Sequence, residues 1–433
     1  MQTSSTFDFN TVVKAGDTVA WPQGTGEPRG LTHRLVSDRH NLPPLKLFIG
    51  MMSSDTLTPD CADRFEMQAL NGAGTNRRLT AKNALDIIPT HVSTVPALLR
   101  ASRIGVDVAL IRVRPTGNAG EYTVGVVADY TAALIAAARC VVAEVDERMP
   151  VTGHDAIVRG EDIDVLVQAD RDEILLLDPV PSPVEQAVAR KVAEAIPDRA
   201  TVQFGIGGLS VAVSRALSSH RDLGVHSGVV SDVFVDLVET GVVTNSHKGL
   251  DAGVSVTGCL FGGSRLNAHA DRNPAIALRS VDYTHSPSVM AQINRLFSVN
   301  SAIEIDVTGQ VNSELAGGRY LGAVGGQVDF VRGAQYSPGG RSIIALPSTT
   351  ADGRASRIVA SLSGRPVTTA RSEIDMVITE FGIADLRGAS MSQRLERLAA
   401  AAHPDFRDEL LSSGRTTRPG VAPLQMAAGA SLA

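Results

Sequence analysis

The 433-residue sequence predicts an α/β fold made of two related open α/β units, with a site in the cleft between them. Three observations lead to this prediction. Short apolar runs alternate with helical stretches through the first half of the chain. A proline-rich segment interrupts the sequence near its middle. A weak internal repeat relates the two sides of that segment.

Alternation is clearest before residue 140. DTVAW (17–21) predicts a strand, GLTHRLVSD (30–38) a helix and LKLFIGMM (45–52) a second strand. The alternation continues through ALDIIP, VPALLRAS, VDVALIRVRP, YTVGVVAD and TAALIAAARC. Strands separated by helices of this length are typical of βαβ units with a largely parallel sheet.

The proline-rich segment predicts the domain boundary. Three prolines fall between Pro179 and Pro183, a density that a helix interior does not tolerate. We therefore predict an N-terminal domain over 1–178, a linker over 179–183 and a C-terminal domain over 184–433. Apolar residues at i+4 spacing then predict the helix that opens the second half: Val184, Val188, Val192 and Ile196.

The repeat pairs TVAWPQGTGEP (18–28) with TVQFGIGG (201–208), each a strand followed by a glycine-rich turn and a helix. One element later, FIGMMSSD (48–55) pairs with VHSGVVSD (225–232) at a similar offset. Two unrelated βαβ units can also resemble each other by chance. If the repeat is genuine, the site lies at the carboxyl ends of the strands, where the two units face each other.

Charge and composition narrow the possible partners. The net charge of −6 argues against a nucleic acid, because phosphate backbones select basic faces. Lysine occurs at only five positions, so a phosphate site is expected to use arginine and backbone N–H groups. The three cysteines lie far apart in the sequence, which predicts neither a disulfide framework nor a metal site. The opening MQTSSTFDFN does not resemble a signal peptide, and the most apolar window is broken by Arg139 and Glu144. We therefore predict a cytoplasmic protein without a membrane partner.

The glycine-rich turn after the strand at 201 indicates a ligand loop. A dinucleotide fingerprint starting at Gly205 would need glycine at 210, where Ser210 stands, although Asp232 lies at about the distance of a ribose-binding acid. From these residues alone the turn fits a nicotinamide dinucleotide, another phosphate-bearing cofactor or no ligand.

Six ordered motifs decide against a nicotinamide enzyme. They are QFGIGG, LGVHSGVVSDVFVDLVETGVVTN (223–245), SVNSAIEIDVTGQVNSE (298–314), LGAVGGQVDFVRGA (321–334), LPSTTADGRASRIV (346–359) and MVITEFGIADLRGAS (376–390). Together they resemble the acetyl-CoA hydrolase/transferase family, which includes 4-hydroxybutyrate and acetate CoA-transferases. WPQGTGEP and LFIGMMSSDTL agree in the first half, so the resemblance extends from about residue 10 to 412.

This resemblance implies two CoA-transferase-type domains that bind acyl-CoA and a small carboxylic acid as substrates, with no tightly bound cofactor, in a homo-oligomer (a dimer or a tetramer). It implies that the Gly326 N–H faces the thioester oxygen and that Glu380 lies near the site. The residues that it assigns to CoA are Gln203, Phe204, Gly205, Ile206, Gly207, Gly325 and Gly326.

One departure from the family affects the chemistry. The family's nucleophilic glutamate lies in H-[ST]-E-x-x-[SQ]-D-G, and this chain reads HSGVVSDV, with Gly228 at the nucleophile position. A glycine cannot form an acyl anhydride. His285 stands where the family commonly has asparagine, and Ala351 where it often has a CoA-binding lysine that Arg354 would partly replace.

We therefore predict an acyl-CoA:carboxylate CoA-transferase that acts on a small carboxylic acid and has Gly228 at the usual nucleophile position. Glu27, near a strand end of the first domain, is the best candidate for a relocated nucleophile, or else a helix-dipole partner. His285 is either a general base for water or a tolerated substitution. The alternatives are an acyl-CoA thioesterase and a catalytically silent acyl-CoA-binding paralogue.

Overall fold

A nine-stranded, mostly parallel sheet organises the first half of the chain in the computed structural model, which describes residues 2–416. Its strands are β1 (Thr18–Ala20), β2 (Leu45–Ile49), β3 (Phe65–Ala69), β4 (Asp86–Ile87), β5 (Val108–Pro115), β6 (Glu121–Thr123), β7 (Cys140–Val145), β8 (Ile157–Arg159) and β9 (Val165–Gln168). The parallel order is β4-β3-β2-β1-β5-β7-β9, and β6 and β8 extend β5 in antiparallel fashion. The central strands β5 and β7 are almost wholly buried, which explains their continuous apolar runs.

Four helices accompany this sheet: α1 (Arg29–Ser37), α2 (Asn76–Thr80), α3 (Val95–Arg100) and α4 (Thr131–Ala137). The predicted strand, helix and strand within 17–52 are confirmed as β1, α1 and β2. The α/β fold class is confirmed as well, since parallel strands and helices alternate in both halves of the chain.

The second half is built on a six-stranded sheet of order β11-β10-β16-β21-β23-β24, in which only the last pair is antiparallel. Its strands and those of four small sheets are β10 (Thr201–Gln203), β11 (Gly224–Val225), β12 (Val229–Val230), β13 (Ser255–Thr257), β14 (Cys259–Leu260), β15 (Ile276–Leu278), β16 (Leu296–Ser301), β17 (Glu304–Asp306), β18 (Val311–Asn312), β19 (Leu315–Ala316), β20 (Arg319–Tyr320), β21 (Arg341–Ala345), β22 (Ile358–Val359), β23 (Met376–Thr379) and β24 (Gly382–Asp385).

The helices of this half are α5 (Pro183–Ala195), α6 (Gly208–Ala216), α7 (Asp232–Glu239), α8 (Ser264–Ala270), α9 (Val281–Thr284), α10 (Pro287–Met290), α11 (Gln327–Tyr336), α12 (Met391–Ala401) and α13 (Arg407–Thr416). Helix α5 begins at Pro183, which the sequence placed in the linker. Proline fits the first helical position because that N–H needs no partner, and Ser182 and Glu185 close a capping box around it.

Backbone hydrogen bonds join the two halves around the cleft. Gly72 N–H donates to the carbonyl of Gly322 over 3.0 Å, and Val92 N–H donates to that of Gly325, also over 3.0 Å. One buried apolar cluster also spans both halves, from Ala20 to Ile378. Loops of both halves are therefore held against each other where the strands end.

No helix within residues 2–416 is both long enough and apolar enough to cross a membrane.

Candidate active site

A cavity of about 400 Å³ lies between the two halves of the chain. The first half contributes the loops after β1, β2 and β3, and the second half contributes the loops after β10 and β11 and the start of α11. Its polar lining residues are Gln23, Asn71, Arg77, Thr90, Asp129, Gln203, His285, Asn300, Ser301, Ser313 and Gln327. The volume and the mixed lining are those of a small-molecule site.

The glycine-rich loop after β10 forms one wall of this cavity. Gln203, Phe204, Gly205 and Ile206 line it, and Gly207 lines a neighbouring cavity of about 410 Å³. Gly207 has φ +95°, a left-handed conformation that glycine adopts without strain and that turns the chain into α6. The loop therefore presents backbone groups and the half-exposed Ile206 side chain toward the cleft.

Gly228 and the imidazole of His285 occupy the same part of the cavity. A Cβ atom placed on Gly228 would lie only 2.9 Å from Cε1 and 3.1 Å from Nε2 of His285. The backbone of Gly228 is outside the left-handed region, so its conformation is one that other residues can adopt. The histidine ring packs against the ring of Phe330, with 4.6 Å between centroids. His285 thus fills the space that a side chain at position 228 would need.

The hydrogen bonds of His285 fix which nitrogen carries its proton. The hydroxyl of Thr284 donates to the carbonyl of Ser280 and lies 2.8 Å from Nδ1 of His285. Because that hydroxyl proton is already used, we assign the ring proton to Nδ1, which donates to the Thr284 oxygen. Nε2 then carries a lone pair, and it has no hydrogen-bond partner among residues 2–416.

Burial and, to a smaller extent, the neighbouring His226 lower the pKa of His285 to about 3. His285 is therefore neutral at pH 7. The same is true of His226, whose pKa burial and the nearby Lys248 also lower to about 3. The cavity offers a neutral imidazole nitrogen as a hydrogen-bond acceptor, not an imidazolium cation.

Gly326 lies on the other side of the same imidazole. A Cβ atom on Gly326 would overlap Nε2 of His285, so only glycine permits this approach. Gly326 precedes α11, and its N–H has no acceptor within the described part of the chain. Gly325 turns the loop with φ +56°, and both glycines line the cavity. The arrangement leaves an unpaired amide beside a free imidazole nitrogen.

The two predicted carboxylates lie outside this cavity. Glu27 is completely buried and accepts a hydrogen bond from the Thr32 hydroxyl at 2.7 Å, and burial raises its pKa. Glu380 accepts hydrogen bonds from the N–H and the hydroxyl of Ser348, at 2.9 and 2.6 Å. The structure therefore brings Gly326, His285 and residues 203–206 together, and places Glu27 and Glu380 elsewhere.

Asp129 is a cavity residue that sequence reasoning missed. It is the one carboxylate among the described residues that line the cavity, and it accepts a hydrogen bond from Nε2 of Gln23 at 2.9 Å. Burial raises its pKa to about 6. The sequence feature that could have indicated Asp129 is its position at the end of an apolar run, just before α4. Asp129 also lies 3.9 Å from the thiol of Cys259, and burial and this charge raise the thiol pKa, so Cys259 is not a ready nucleophile.

Within residues 2–416, no group of three or more histidine, cysteine, aspartate or glutamate side chains is placed to hold a metal ion.

The pKa of His285 predicts a measurable effect on stability. Its pKa is about 3 in the folded chain against an ordinary 6.5, so between these values the unfolded chain binds more protons. Its stabilising contribution is therefore complete above pH 6.5 and is lost as the pH falls. We expect His285→Asn to reduce the slope of unfolding free energy against pH between 6 and 4 by up to about 1.4 kcal/mol per pH unit.

Urea unfolding at several pH values measures that slope. Asp129 contributes to the same slope with the opposite sign between about pH 4 and 6. Its raised pKa means that the folded chain binds more protons than the unfolded chain in that range. That contribution is present in both proteins and cancels in the comparison. An unchanged slope in the variant would show that the pKa of His285 is not lowered in the folded chain.

Comparisons with known proteins agree with this architecture. The family model "Acetyl-CoA hydrolase/transferase N-terminal domain" matches residues 4–177, and the corresponding C-terminal domain model matches 262–413. The chain is 37% identical to 4-hydroxybutyrate coenzyme A transferase of Clostridium kluyveri, over 91% of this chain and 92% of that protein. It is 35% identical to succinyl-CoA:cyclohexane-1-carboxylate CoA transferase of Geobacter metallireducens, over 93% of each.

Among solved structures, 4-hydroxybutyrate CoA-transferase from Porphyromonas gingivalis superposes with a TM-score of 0.81 at 32% identity, covering 96% of this chain and 97% of that one.

Proposed function

The chain belongs to the acetyl-CoA hydrolase/transferase family, and on that premise we propose that it is an acyl-CoA:carboxylate CoA-transferase acting on a small carboxylic acid. The observation that carries the proposal is the convergence of the 203–206 loop, Gly228 and the unpaired Gly326 amide on one cavity between the halves. The two relatives named above are both CoA-transferases by name, and each aligns along nearly the whole chain.

Without a carboxylate at position 228, the acceptor acid itself is the nucleophile in this proposal. An oxygen of the acceptor carboxylate attacks the thioester carbonyl carbon, and the carbon–sulfur bond breaks to give a mixed anhydride and CoA thiolate. The thiolate then attacks the acceptor-derived carbonyl, and the anhydride carbon–oxygen bond breaks to release the donor acid. In this proposal the Gly326 N–H stabilises each oxyanion, a contribution of about 3 kcal/mol for one such donor.

Hydrolysis of acyl-CoA is a second candidate function, and the orientation of His285 favours it. A neutral imidazole whose lone pair faces the cavity accepts a hydrogen bond from water but offers none to a carboxylate. Nε2 would take a proton as the water oxygen attacks the thioester carbon. The carbon–sulfur bond then breaks, and the proton passes from His285 to the CoA thiolate.

One exchange experiment distinguishes these functions. The protein is incubated with acetyl-CoA and isotope-labelled acetate, and then with a series of other short-chain acids. A transferase moves label from the free acid into the thioester, whereas a hydrolase releases free CoA without incorporating label. A catalytically silent paralogue does neither while still binding CoA. Absence of both label transfer and CoA release would therefore overturn both enzymatic proposals.

Ligand binding provides an independent check. We expect CoA or acetyl-CoA to raise the thermal midpoint, because a ligand that binds only the folded state adds about 2.7 kcal/mol of stability at a hundredfold excess over its Kd. Gly205→Val should abolish this shift. Its Cβ would meet only the Val299 carbonyl, at 4.0 Å, so the protein tolerates the side chain, which then occupies space at the cavity wall.

Gly153→Ala is the control for a glycine replacement away from the cavity, because its φ is −107°, an added Cβ meets nothing within 4 Å and Gly153 lines neither this cavity nor the one beside Gly207. The measurement is differential scanning fluorimetry with CoA and with NAD. A larger shift with NAD than with CoA would contradict the CoA assignment.

A further inference from the structure

A second groove, of about 810 Å³, continues from the active-site cavity to the surface. The two spaces share the lining residues Arg77, Ser301, Ser313, Leu321 and Gly322. A ligand longer than an acyl group can therefore extend from Gly326 into this groove. The groove runs between α2 of the first half and the β19–β20 turn and 350–365 segment of the second half.

Arg77 stands at the junction of these spaces. It is an exposed residue of α2 that lines the active-site cavity, the groove and the cavity beside Gly207. Its guanidinium has no hydrogen bond or ion pair with any of residues 2–416. The helix that carries it is fixed across the cleft, because the Thr80 hydroxyl donates to the Tyr320 carbonyl at 3.2 Å.

Arg357 faces the same groove from the second half. It is half-buried, burial lowers its pKa, and its guanidinium also lacks an ion pair and a hydrogen bond within the described chain. Its backbone is fixed by bonds of 2.8 Å to the Ser348 carbonyl and from the Ile305 N–H. From a distance, the carboxylates of Glu185 and Glu380 partly offset this effect of burial on the pKa of Arg357, but neither forms an ion pair with it. An anion bound in the groove would therefore give this partly desolvated guanidinium a direct partner.

The other charges of the groove cancel. Arg365 is paired with Glu304, the one carboxylate among the residues that line the groove. The guanidinium groups of Arg77 and Arg357 therefore remain without a direct ion pair among residues 2–416, in a chain whose net charge is −6. Arg354, which the sequence suggested as a replacement for the lysine missing at 351, has a side chain 86% exposed, lies 3.8 Å from Asp352 and does not line the groove.

We propose that this groove binds the phosphate groups of the acyl-CoA substrate, held by Arg77 from the first half and Arg357 from the second. The proposal rests on the proposed function and locates the polyanionic end of its substrate. Guanidinium groups suit phosphates because they donate paired hydrogen bonds. Binding then requires both halves of the chain, and the uncharged arm of CoA runs past the five shared residues toward Gly326.

Calorimetric titration with CoA, pantetheine and ADP tests this assignment. Pantetheine lacks the phosphates, and ADP has a diphosphate without the pantetheine arm. Arg77→Gln and Arg357→Gln are each expected to weaken CoA and ADP binding by about tenfold or more, as for a lost charge-assisted hydrogen bond, and to leave pantetheine binding unchanged. Arg78→Gln is the matched control, since Arg78 neighbours Arg77 on α2 but lines none of these spaces.

Parental affinity for CoA in both arginine variants would overturn the assignment, and so would equal affinity of the parent for CoA and pantetheine. Arginine-dependent ADP binding by a protein that neither exchanges nor hydrolyses acyl-CoA would support the phosphate site while overturning the proposed activity. The two proposals therefore fail separately.

Discussion

Replacing Gly228 by glutamate and His285 by asparagine together is expected to raise the exchange of labelled acid into acyl-CoA by several orders of magnitude. Gly228→Glu alone is expected to leave that exchange near the parental rate. The double replacement installs the pair of residues that the sequence resemblance implies for these positions. A covalent nucleophile and the Gly326 amide then act on the same transition state.

Steric contact is the reason that one replacement is not sufficient. Any Cβ at position 228 would lie 2.9 Å from Cε1 of His285, closer than real Cβ atoms approach a neighbouring group. The imidazole has little room to move, because it packs on Phe330 and is held at Nδ1 by Thr284. Asparagine at 285 is shorter than histidine and vacates this space. Backbone strain is not an obstacle, since φ of Gly228 is outside the left-handed region.

The measurement is label exchange at saturating acetyl-CoA, with His285→Asn alone as the control that vacates the space without adding a carboxylate. Borohydride trapping and peptide mass spectrometry should find a glutamyl adduct at position 228 only in the double variant. A double variant that folds and binds CoA but exchanges no faster than His285→Asn would show that the cavity is adapted to chemistry other than transfer.

The order of strands and helices was predictable from sequence because it depends on local periodicity. Runs such as VDVALIRVRP carry the apolar pattern of a central strand, and β5 is buried over most of its length. Pro183 was misplaced because proline density signals a break in a helix, whereas a single proline at a helix start favours one.

The site was harder to predict because its geometry depends on contacts between distant segments. Glu27 follows a strand and was expected near the cleft, but the turn after β1 directs it into the protein, where Thr32 holds it. Neither periodicity nor spacing indicates that position 228 and position 285 share one volume. The two departures from the family motif were visible separately, and the structure shows that they are in contact.

The contact between positions 228 and 285 gives one physical explanation for both departures from the family pattern that the resemblance implies. Removing a side chain from a packed wall leaves a cavity that costs stability, and a larger neighbour that enters the space avoids that cost. Under the assignment that the resemblance implies for position 228, a neutral nitrogen with a free lone pair stands where a charged carboxylate would be, and that nitrogen can accept a proton.

His285→Asn is expected to lower acyl-CoA hydrolysis, measured without an acceptor acid, by about tenfold, less than the range for a base whose pKa lies near the operating pH, because burial holds the pKa of His285 near 3. CoA affinity should be unchanged, because no predicted CoA-binding residue is replaced. Titration of His285 should not appear in the parental rate from pH 5 to 8, since burial keeps its pKa near 3 and its Nε2 unprotonated throughout, so any inflection near pH 6 would come from Asp129.

Thr284→Val separates the role of the proton position from that of the ring. It removes the hydroxyl that accepts from Nδ1 and keeps a side chain of similar shape, so Nε2 is no longer held as the bare nitrogen. We expect an intermediate loss of hydrolysis in this variant, with CoA binding retained. A thiol-release assay with acetyl-CoA measures both variants. If His285→Asn hydrolyses acetyl-CoA at the parental rate, His285 is not the base. The proton of the attacking water would then need another acceptor. Asp129 is the carboxylate among the described residues that line the cavity.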